Sequence, residues 1–293
     1  MNRQKSFENE KATLYVVATP IGNLQEMTPR ALKVLESVDV IAAEDTRNTL
    51  KLLTHFGIHT RLISHHQHNE AQSANGLLEL LRQGQDIALV SDAGYPLISD
   101  PGCVVTQKVI EEGFNVVPIS GSNAMLNALV SSGMDTRHFL FYGFLKSGEK
   151  ERIRELYELK YYPFTMVFYE APHRVKKMLA SCLEVLGNRN ICLARELTKK
   201  HEEFLRGTIE EILEIAEELK GEMVIVMEGS RETKDPGEDS AMPLVHEQIN
   251  TYIKEGLTTN EAIKRVARER GLSKNEIYKP VSYTHLRAHE TGR

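Results

Sequence analysis

One twelve-residue stretch, Ser91–Gly102, contains two Asp, two Gly and two Pro (SDAGYPLISDPG). Glycines let a main chain approach a ligand closely, and prolines stiffen a loop. The carboxylates of Asp92 and Asp100 can accept hydrogen bonds from ribose hydroxyls or from an ammonium group. We interpret the stretch as a ligand-binding loop. The alternative, that Asp100 caps the next helix and the glycines serve turns, stays open.

Other polar segments follow predicted strands in the same way. In α/β proteins, ligands bind beyond the carboxyl ends of the strands, so these segments are candidates for one shared site. They are Thr19–Asn23, Glu44–Arg47, Pro118–Asn123, Glu170–Arg174 and Arg195–Thr198.

Several standard site motifs are absent from the sequence. There is no GxGxxG and no HExxH, and Gly143–Gly148 has P-loop spacing but is followed by Glu149 where a lysine is required. His65, His66 and His68 cluster without a Cys or carboxylate set at metal-ligand spacing, so we predict no metal site.

The elements that must position these residues alternate along the chain. Short apolar runs separated by amphipathic helices predict an α/β fold with parallel or mixed sheets covered on both faces. The predicted strands are 13–18, 38–43, 87–91, 115–119, 138–142, 165–169, 190–194 and 223–227. The predicted helices are 29–37, 75–83, 104–112, 124–131, 150–159, 175–186 and 208–219.

Breaks in this pattern divide the chain. We predict α/β domains over 12–134 and 135–230, a linker over 231–243, a small helix-turn-helix-like domain over 244–280, and a non-native tail over 281–293.

The small helical domain shows its own signals. Thr258 and Glu261 have capping-box spacing, and apolar residues line one face of the helix that follows. The residues on that face are Ile263, Val266 and Ala267. Gly271 is predicted to end the helix, and Ser273 and Glu276 have the spacing of a second capping box.

Composition excludes several classes of protein. The 293 residues are 41% hydrophobic and 26% charged, which is typical of a globular chain rather than a disordered or collagenous one. The polar N-terminus predicts no secretory signal, and no apolar run reaches membrane-spanning length. Three cysteines without CxxC spacing are typical of reduced thiols, so we expect a cytoplasmic protein.

Charge is unevenly distributed along the chain, whose net value is −5. Residues 1–136 carry 10 Lys or Arg against 15 Asp or Glu, whereas 137–206 carry 14 against 9. Residues 207–243 carry 3 against 11, and 244–293 carry 9 against 6. The basic segments are candidates for binding a polyanion, and a solvated mixed-charge surface is the alternative.

An ordered set of motifs resembles the ribosomal RNA small subunit methyltransferase I family, which belongs to the tetrapyrrole-methylase-like S-adenosylmethionine enzymes. The motifs are TPIGN, AAEDTR, SDAGYPLISDPG, PISGSNA, YGFL, YEAPHR, ARELTK and GEMVIVMEG, spread over residues 12–230. The resemblance implies a homodimer of two-lobed α/β chains with a cofactor cleft. It also implies methyl transfer to the ribose 2′-oxygen of a cytidine in the decoding region of 16S rRNA.

Strand-end position and the family loops together suggest roles for individual residues. We expect S-adenosyl-L-methionine to contact Pro20, Asp92, Gly94, Ile98, Ser120, Ala124, Tyr169, Leu197 and Met223. We expect the RNA to contact Glu44, Arg47, His173, Arg174, Arg195 and Lys199, with further contacts from Lys264, Arg265, Arg268 and Lys274. Glu170 is the predicted catalytic base, and a structural acid before Pro172 is the alternative.

Two other functions remain open at this point. A small-molecule methyltransferase acting on a tetrapyrrole would need no basic second domain. A non-catalytic DNA-binding regulator would use residues 257–279 and sense a metabolite with its α/β part.

Overall fold

The computed structural model describes residues 3–6, 8–66, 70–232 and 245–269. They form two five-stranded sheets with helices between the strands, which confirms the predicted α/β class. Across these residues, no helix is both long and apolar enough to span a bilayer.

The first sheet is entirely parallel, in the order β3-β2-β4-β1-β5. Its central strands β2 and β4 are buried at every position, as expected where helices cover both faces. The strands are β1 (Thr13–Val17), β2 (Val40–Ala43), β3 (Arg61–Ser64), β4 (Ile87–Val90) and β5 (Asn115–Ile119).

Helices connect these strands, and polar side chains set where several of them begin. Thr28, Asp45 and Asn123 each accept a hydrogen bond from a main-chain amide in the first turn of the next helix. The helices are α1 (Pro29–Ser37), α2 (Thr46–His55), α3 (Glu70–Arg82), α4 (Cys103–Glu111) and α5 (Ala124–Ser131).

The second sheet is mixed, in the order β6-β7-β10-β8-β9. Strand β10 lies at its centre and runs antiparallel to both neighbours, whereas β6 and β7 are parallel. The strands are β6 (Phe139–Phe144), β7 (Thr165–Glu170), β8 (Asn190–Arg195), β9 (Glu203–Thr208) and β10 (Met223–Met227). Helix α5 packs against this sheet through Ala128 and Leu129.

The chain divides into two compact units. The first comprises 1–145, 165–176 and 189–228 and contains both sheets. The second comprises 146–164, 177–188 and 229–293. The remaining helices are α6 (Glu149–Leu159), α7 (Val175–Leu186), α8 (Ile209–Ile215), α9 (Val245–Lys254) and α10 (Thr259–Glu269). The predicted boundary between lobes at 134 and 135 stays a prediction.

The structure adds three elements to the predicted list and changes the bounds of two predicted helices. The sequence patterns do not indicate α2, β3 or β9, the helix predicted over 75–83 begins at Glu70, and the helix predicted over 208–219 ends at Ile215. Strands β3 and β9 each pair on one side only, so their residues lack the continuous apolar pattern of central strands.

Within 244–280, the helix signals that fall on described residues are confirmed, whereas a separate small domain there stays a prediction. The Thr258 amide donates to Glu261 Oε2 at 3.0 Å, as the capping box requires, and Ile263, Val266 and Ala267 are buried. The predicted signals at Gly271, Ser273 and Glu276, and Lys274, lie outside the described residues, as do the tail and most of the linker.

Candidate functional site

The site begins where β1 and β4 end side by side. From β1 the chain continues to β2, on one side of this pair of strands, and from β4 it continues to β5, on the other side. An edge where the connections diverge in this way is a topological switch point. Beyond the strand ends, Thr19 and Gly94 exchange two main-chain hydrogen bonds of 2.9 and 3.0 Å. These bonds join the loop after β1 to the loop after β4.

The loop after β4 has an unusual main chain. Gly94, Leu97, Ser99 and Gly102 all have positive φ, between 67° and 128°. A Cβ atom at Gly102 would lie 2.9 Å from Leu89 Cδ2, so this glycine is required for close packing as well as for conformation. Left-handed non-glycine residues such as Leu97 and Ser99 are uncommon and concentrate at functional sites.

This loop forms one wall of a cavity of about 330 Å³, which we call the main cavity. A cavity of this size suits a cofactor-sized ligand, and its walls are largely apolar with a few polar groups. The lining residues are Ile21, Ala93, Gly94, Tyr95, Ile98, Ser99, Asp100, Asn123, Ala124, Phe144, Tyr169, Glu170, Ala171, Pro172, Leu197, Glu222, Met223 and Val224.

A second strained loop, between β8 and β9, supplies Leu197 to the main cavity. Glu196 and Thr198 have positive φ. Lys199 Nζ binds Glu196 Oε1 at 3.1 Å and Glu222 Oε2 at 3.0 Å. A Cβ atom at Gly22 would lie 2.5 Å from Lys199 Cγ, so the lysine stem packs directly on the loop after β1.

Asp100 lines the main cavity, and the carboxylates of Glu44 and Asp92 are near enough to affect its charge. Burial, together with the negative charges of Glu44 and Asp92, raises the pKa of Asp100 to about 6. Burial and the charge of Asp92 also raise the pKa of Glu44. The pKa of Tyr169 is raised by burial, with a smaller contribution from Asp100. The part of the cavity next to Asp100 therefore has a negative potential that favours a cationic ligand.

Glu170, the predicted base, lines the main cavity with a side chain that is almost fully buried. Its Oε1 accepts the Ala171 amide at 2.8 Å and lies 3.1 Å from Arg174 Nε. Arg174 in turn donates to the Leu145 carbonyl at 2.6 Å. The carboxylate is thus held in one orientation at the end of β7.

A second hollow, which we call the groove, has a volume of about 380 Å³ and shares Ile21, Ala93 and Glu222 with the main cavity. Its lining is more polar. The remaining lining residues are Thr19, Pro20, Gly22, Leu24, Asn48, Thr49, Lys51, Leu52, Ser91, Asp92 and Lys199.

The structure brings most of the predicted donor contacts together. Gly94, Ile98, Ala124, Tyr169, Leu197 and Met223 all line the main cavity. Pro20 and Asp92 line the groove instead. Ser120 lines neither hollow, and its carbonyl accepts the Thr28 hydroxyl at 3.4 Å.

The predicted RNA contacts are more dispersed, and several are paired with acids. Arg47 binds Asp45 at 2.9 Å, and Arg195 binds Glu203 at 2.5 Å. His173 is exposed in the turn before α7. Lys199 lines the groove, and Arg265 pairs with Glu269 at 3.2 Å in the second unit.

Sequence patterns do not reveal the parts of the main cavity that come from distant segments. Phe144 and Glu222 lie near strand ends, but only the tertiary structure shows that they share a cavity, whereas Asn123 belongs to the segment Pro118–Asn123 that the sequence predicts for the shared site. Tyr95 carries no signal of its own in the sequence, yet its hydroxyl accepts the Gly121 amide at 3.3 Å.

The histidine cluster has a structural role where it is described. The ring Nδ1 of His65 lies 2.7 Å from the Ser73 hydroxyl, and His65 is buried. His68 lies outside the described residues. Within the ranges that the structure describes, no group of three His, Cys, Asp or Glu residues is placed to hold a metal ion.

Comparison with known proteins agrees with this geometry. The family model of the Tetrapyrrole (Corrin/Porphyrin) Methylases matches residues 13–213. The ribosomal RNA small subunit methyltransferase I of Halalkalibacterium halodurans is 48% identical over 95% of this chain and 98% of that protein. The Bacillus subtilis protein of the same name is 46% identical over 95% of this chain and 97% of its own length.

Solved structures share the fold at low sequence identity. Diphthine synthase is similar with a TM-score of 0.58 and 11% identity, covering 74% of this chain and 90% of its own. Uroporphyrin-III C-methyltransferase from Thermus thermophilus, solved in complex with S-adenyl homocysteine, has a TM-score of 0.53 and 16% identity. That match covers 74% of this chain and 97% of the other.

Proposed function

Since the chain belongs to the ribosomal RNA small subunit methyltransferase I family of tetrapyrrole methylases, we propose that it methylates 16S rRNA. The donor is S-adenosyl-L-methionine, and the acceptor is the ribose 2′-oxygen of a cytidine in the decoding region. The observation that carries the proposal is a mainly apolar cavity that shares lining residues with a more polar groove. Because its acceptor is part of the small ribosomal subunit, we expect the protein to act in the cytoplasm.

The main cavity fits the donor in size and in chemistry. Apolar side chains such as Ile98, Leu197 and Met223 can cover an adenosine and exclude water. The negative potential from Asp100 and its neighbours favours a ligand that carries a sulfonium and an ammonium group. We assign Gly94, Ile98, Ala124, Tyr169, Leu197 and Met223 to the donor, with Pro20 and Asp92 reaching it from the groove side of the shared wall.

S-adenosyl-L-methionine supplies an activated methyl group when bound, so the protein has mainly to align the acceptor oxygen with it. In the transfer, a bond forms between the 2′-oxygen and the methyl carbon, the carbon–sulfur bond breaks, and the 2′-hydroxyl proton must leave. Glu170, fixed by Ala171 and Arg174, is our proposed acceptor of that proton.

The Glu170 role is tested by Glu170→Gln. We expect turnover to fall about 100-fold, the lower range for loss of a general base, while donor affinity measured by calorimetry stays unchanged. The amide keeps the shape of the side chain and can still accept a hydrogen bond from Arg174. Full turnover by this variant would remove Glu170 from the proton transfer.

The function as a whole is tested with tritiated S-adenosyl-L-methionine and small ribosomal subunits. We expect label in 16S rRNA, at a 2′-O-methylcytidine after nuclease digestion. Label that enters an added tetrapyrrole instead, or no transfer to any acceptor, would overturn the proposal.

We also propose that the protein is a homodimer. Two apolar side chains one helical turn apart on α5 are exposed: Val130 is 71% exposed and Leu126 45%. A second copy covering this surface would remove them from water. Light scattering should give twice the mass of one chain, and a single-chain mass at micromolar concentration would exclude the dimer.

A further inference from the structure

The geometry points to a site for the RNA backbone that the proposed function does not by itself specify. We propose that the exposed face of α2 and the adjoining groove bind the sugar-phosphate backbone of the acceptor strand, with Lys51 contacting a phosphate. This inference rests on the proposed function, because it takes the ligand of the groove to be RNA.

Charge sets α2 apart from its surroundings. The helix contains Arg47 and Lys51 and no Asp or Glu, although residues 1–136 as a whole carry five more acids than Lys and Arg, 15 against 10. Arg47 and Lys51 are one helical turn apart, so they lie on the same side of the helix. Both are exposed. This arrangement presents positive charge at a spacing suited to a phosphate backbone.

The position of Lys51 connects that charge to the chemistry. Lys51 and Asn48 line the groove, and the groove shares Ile21, Ala93 and Glu222 with the main cavity. An RNA strand bound in the groove therefore lies directly beside the cavity that we assign to the donor.

The protein fixes α2 in this position through Asp92. One carboxylate oxygen of Asp92 accepts the Asp45 amide at 3.3 Å, and the other accepts the Asn48 side-chain amide at 3.1 Å. Asp92 belongs to the same loop as Gly94, which lines the main cavity. The first turn of α2 is thus tied to the loop that forms the donor site.

The basic segment 137–206 offers fewer available cations than its sequence suggests. Several of its arginines and lysines are held by carboxylates or by main-chain oxygens, namely Arg152, Arg174, Arg195, Lys199 and Arg206. Lys51 forms no ion pair with any residue in the described part of the chain. The Arg47–Asp45 pair is exposed and costs little to exchange for a phosphate.

The test compares Lys51→Gln with Lys33→Gln, a matched change at an exposed lysine of α1 that lines neither hollow. Affinity for a 16S rRNA fragment is measured by filter binding over a range of salt concentrations. Loss of one phosphate contact should weaken binding about fivefold near 0.1 M salt and reduce the slope of log K against log salt by about 0.7. Donor affinity should not change, and Lys51→Arg should retain the wild-type slope.

The outcomes separate this inference from the proposed function. If the wild-type protein methylates small subunits but Lys51→Gln behaves like Lys33→Gln, the α2 site is wrong and the proposed function stands. Weaker binding with an unchanged salt slope would also overturn it, because the contact would not be to a phosphate. Failure of the wild-type protein to label any subunit would instead overturn the proposed function.

Discussion

The main cavity and the groove lie on either side of one short wall, yet their linings differ in kind. The main cavity is largely apolar, and burial together with neighbouring acids keeps the pKa of Asp100 at about 6. The groove has a more polar lining that includes both lysines, Lys51 and Lys199, and carboxylates, Asp92 and Glu222. Lys199 is paired with Glu196 and Glu222, so Lys51 is the groove lysine that has no acid partner among the described residues and can meet a polyanionic acceptor.

The largest expected effect comes from filling one hollow and leaving the other unchanged. Gly94→Val introduces a branched side chain at φ +78° beside Ile21, within the wall of the main cavity. We expect donor turnover to fall at least about 100-fold, since small displacements at a reacting centre have effects of this size, while RNA binding is retained.

The control for this prediction is Gly133→Val. Gly133 has φ +81°, and no atom lies within 4 Å of the position that a Cβ would take there, so the change imposes similar backbone strain without filling a site. Equal losses of activity in both variants would show that strain, and not occupation of the cavity, is responsible.

An intermediate effect is expected at Asp92, where the two hollows meet. Asp92→Ala removes the acceptor of the Asp45 and Asn48 hydrogen bonds, so both α2 and the Gly94 loop lose an anchor. We expect donor affinity, measured by calorimetry, to fall about tenfold, in line with the loss of hydrogen bonds to a charged group. RNA affinity should fall as well.

Asp135→Ala is the matched control, because its carboxylate binds only Arg137 among the described residues and lines neither hollow. Unchanged donor affinity in Asp92→Ala would exclude Asp92 from the donor site.

The smallest effect concerns stability. The pKa of Asp100 is about 6 in the folded protein and about 3.9 when unfolded, so the folded state holds the proton more tightly. The free energy of unfolding therefore falls as pH rises from about 4 to 6, and above about pH 6 the loss of stability due to Asp100 is complete. Asp100→Asn should raise the free energy of unfolding by about 1 kcal/mol at pH 7.5, allowing for partial exposure of the carboxyl group, and should give no gain at pH 4.

Urea denaturation at the two pH values measures the difference. A gain of the same size at both would mean that the charge of Asp100 is not the cause.

Sequence patterns predict central elements better than edges. The central strands β4 and β10 are continuous apolar runs, and their predicted bounds match the structure to within one residue. Strand β9 is half-buried at the edge of its sheet, and its polar residues interrupt the apolar pattern by which a strand is predicted. The sequence does not predict helix α2, because its leucines at 50, 52 and 53 do not form a clear helical repeat, and Leu50 is exposed.

The same limit applies to the site. Glycine and carboxylate spacing in the loop after β4 predicts one wall of the main cavity. Other parts of the lining come from Phe144 and Glu222, which lie in the motifs YGFL and GEMVIVMEG, but neither motif by itself indicates a contact with this cavity. Their role depends on how two sheets pack, and that is a property of the tertiary structure.

The wall formed by Ile21, Ala93 and Glu222 has a thermodynamic consequence. Whatever factor the bound donor contributes to the affinity for RNA, the bound RNA must contribute to the affinity for the donor, because the two equilibria form a closed cycle. Thr19 lines the groove and Gly94 lines the main cavity, so the two main-chain hydrogen bonds between them join the linings of the two hollows directly.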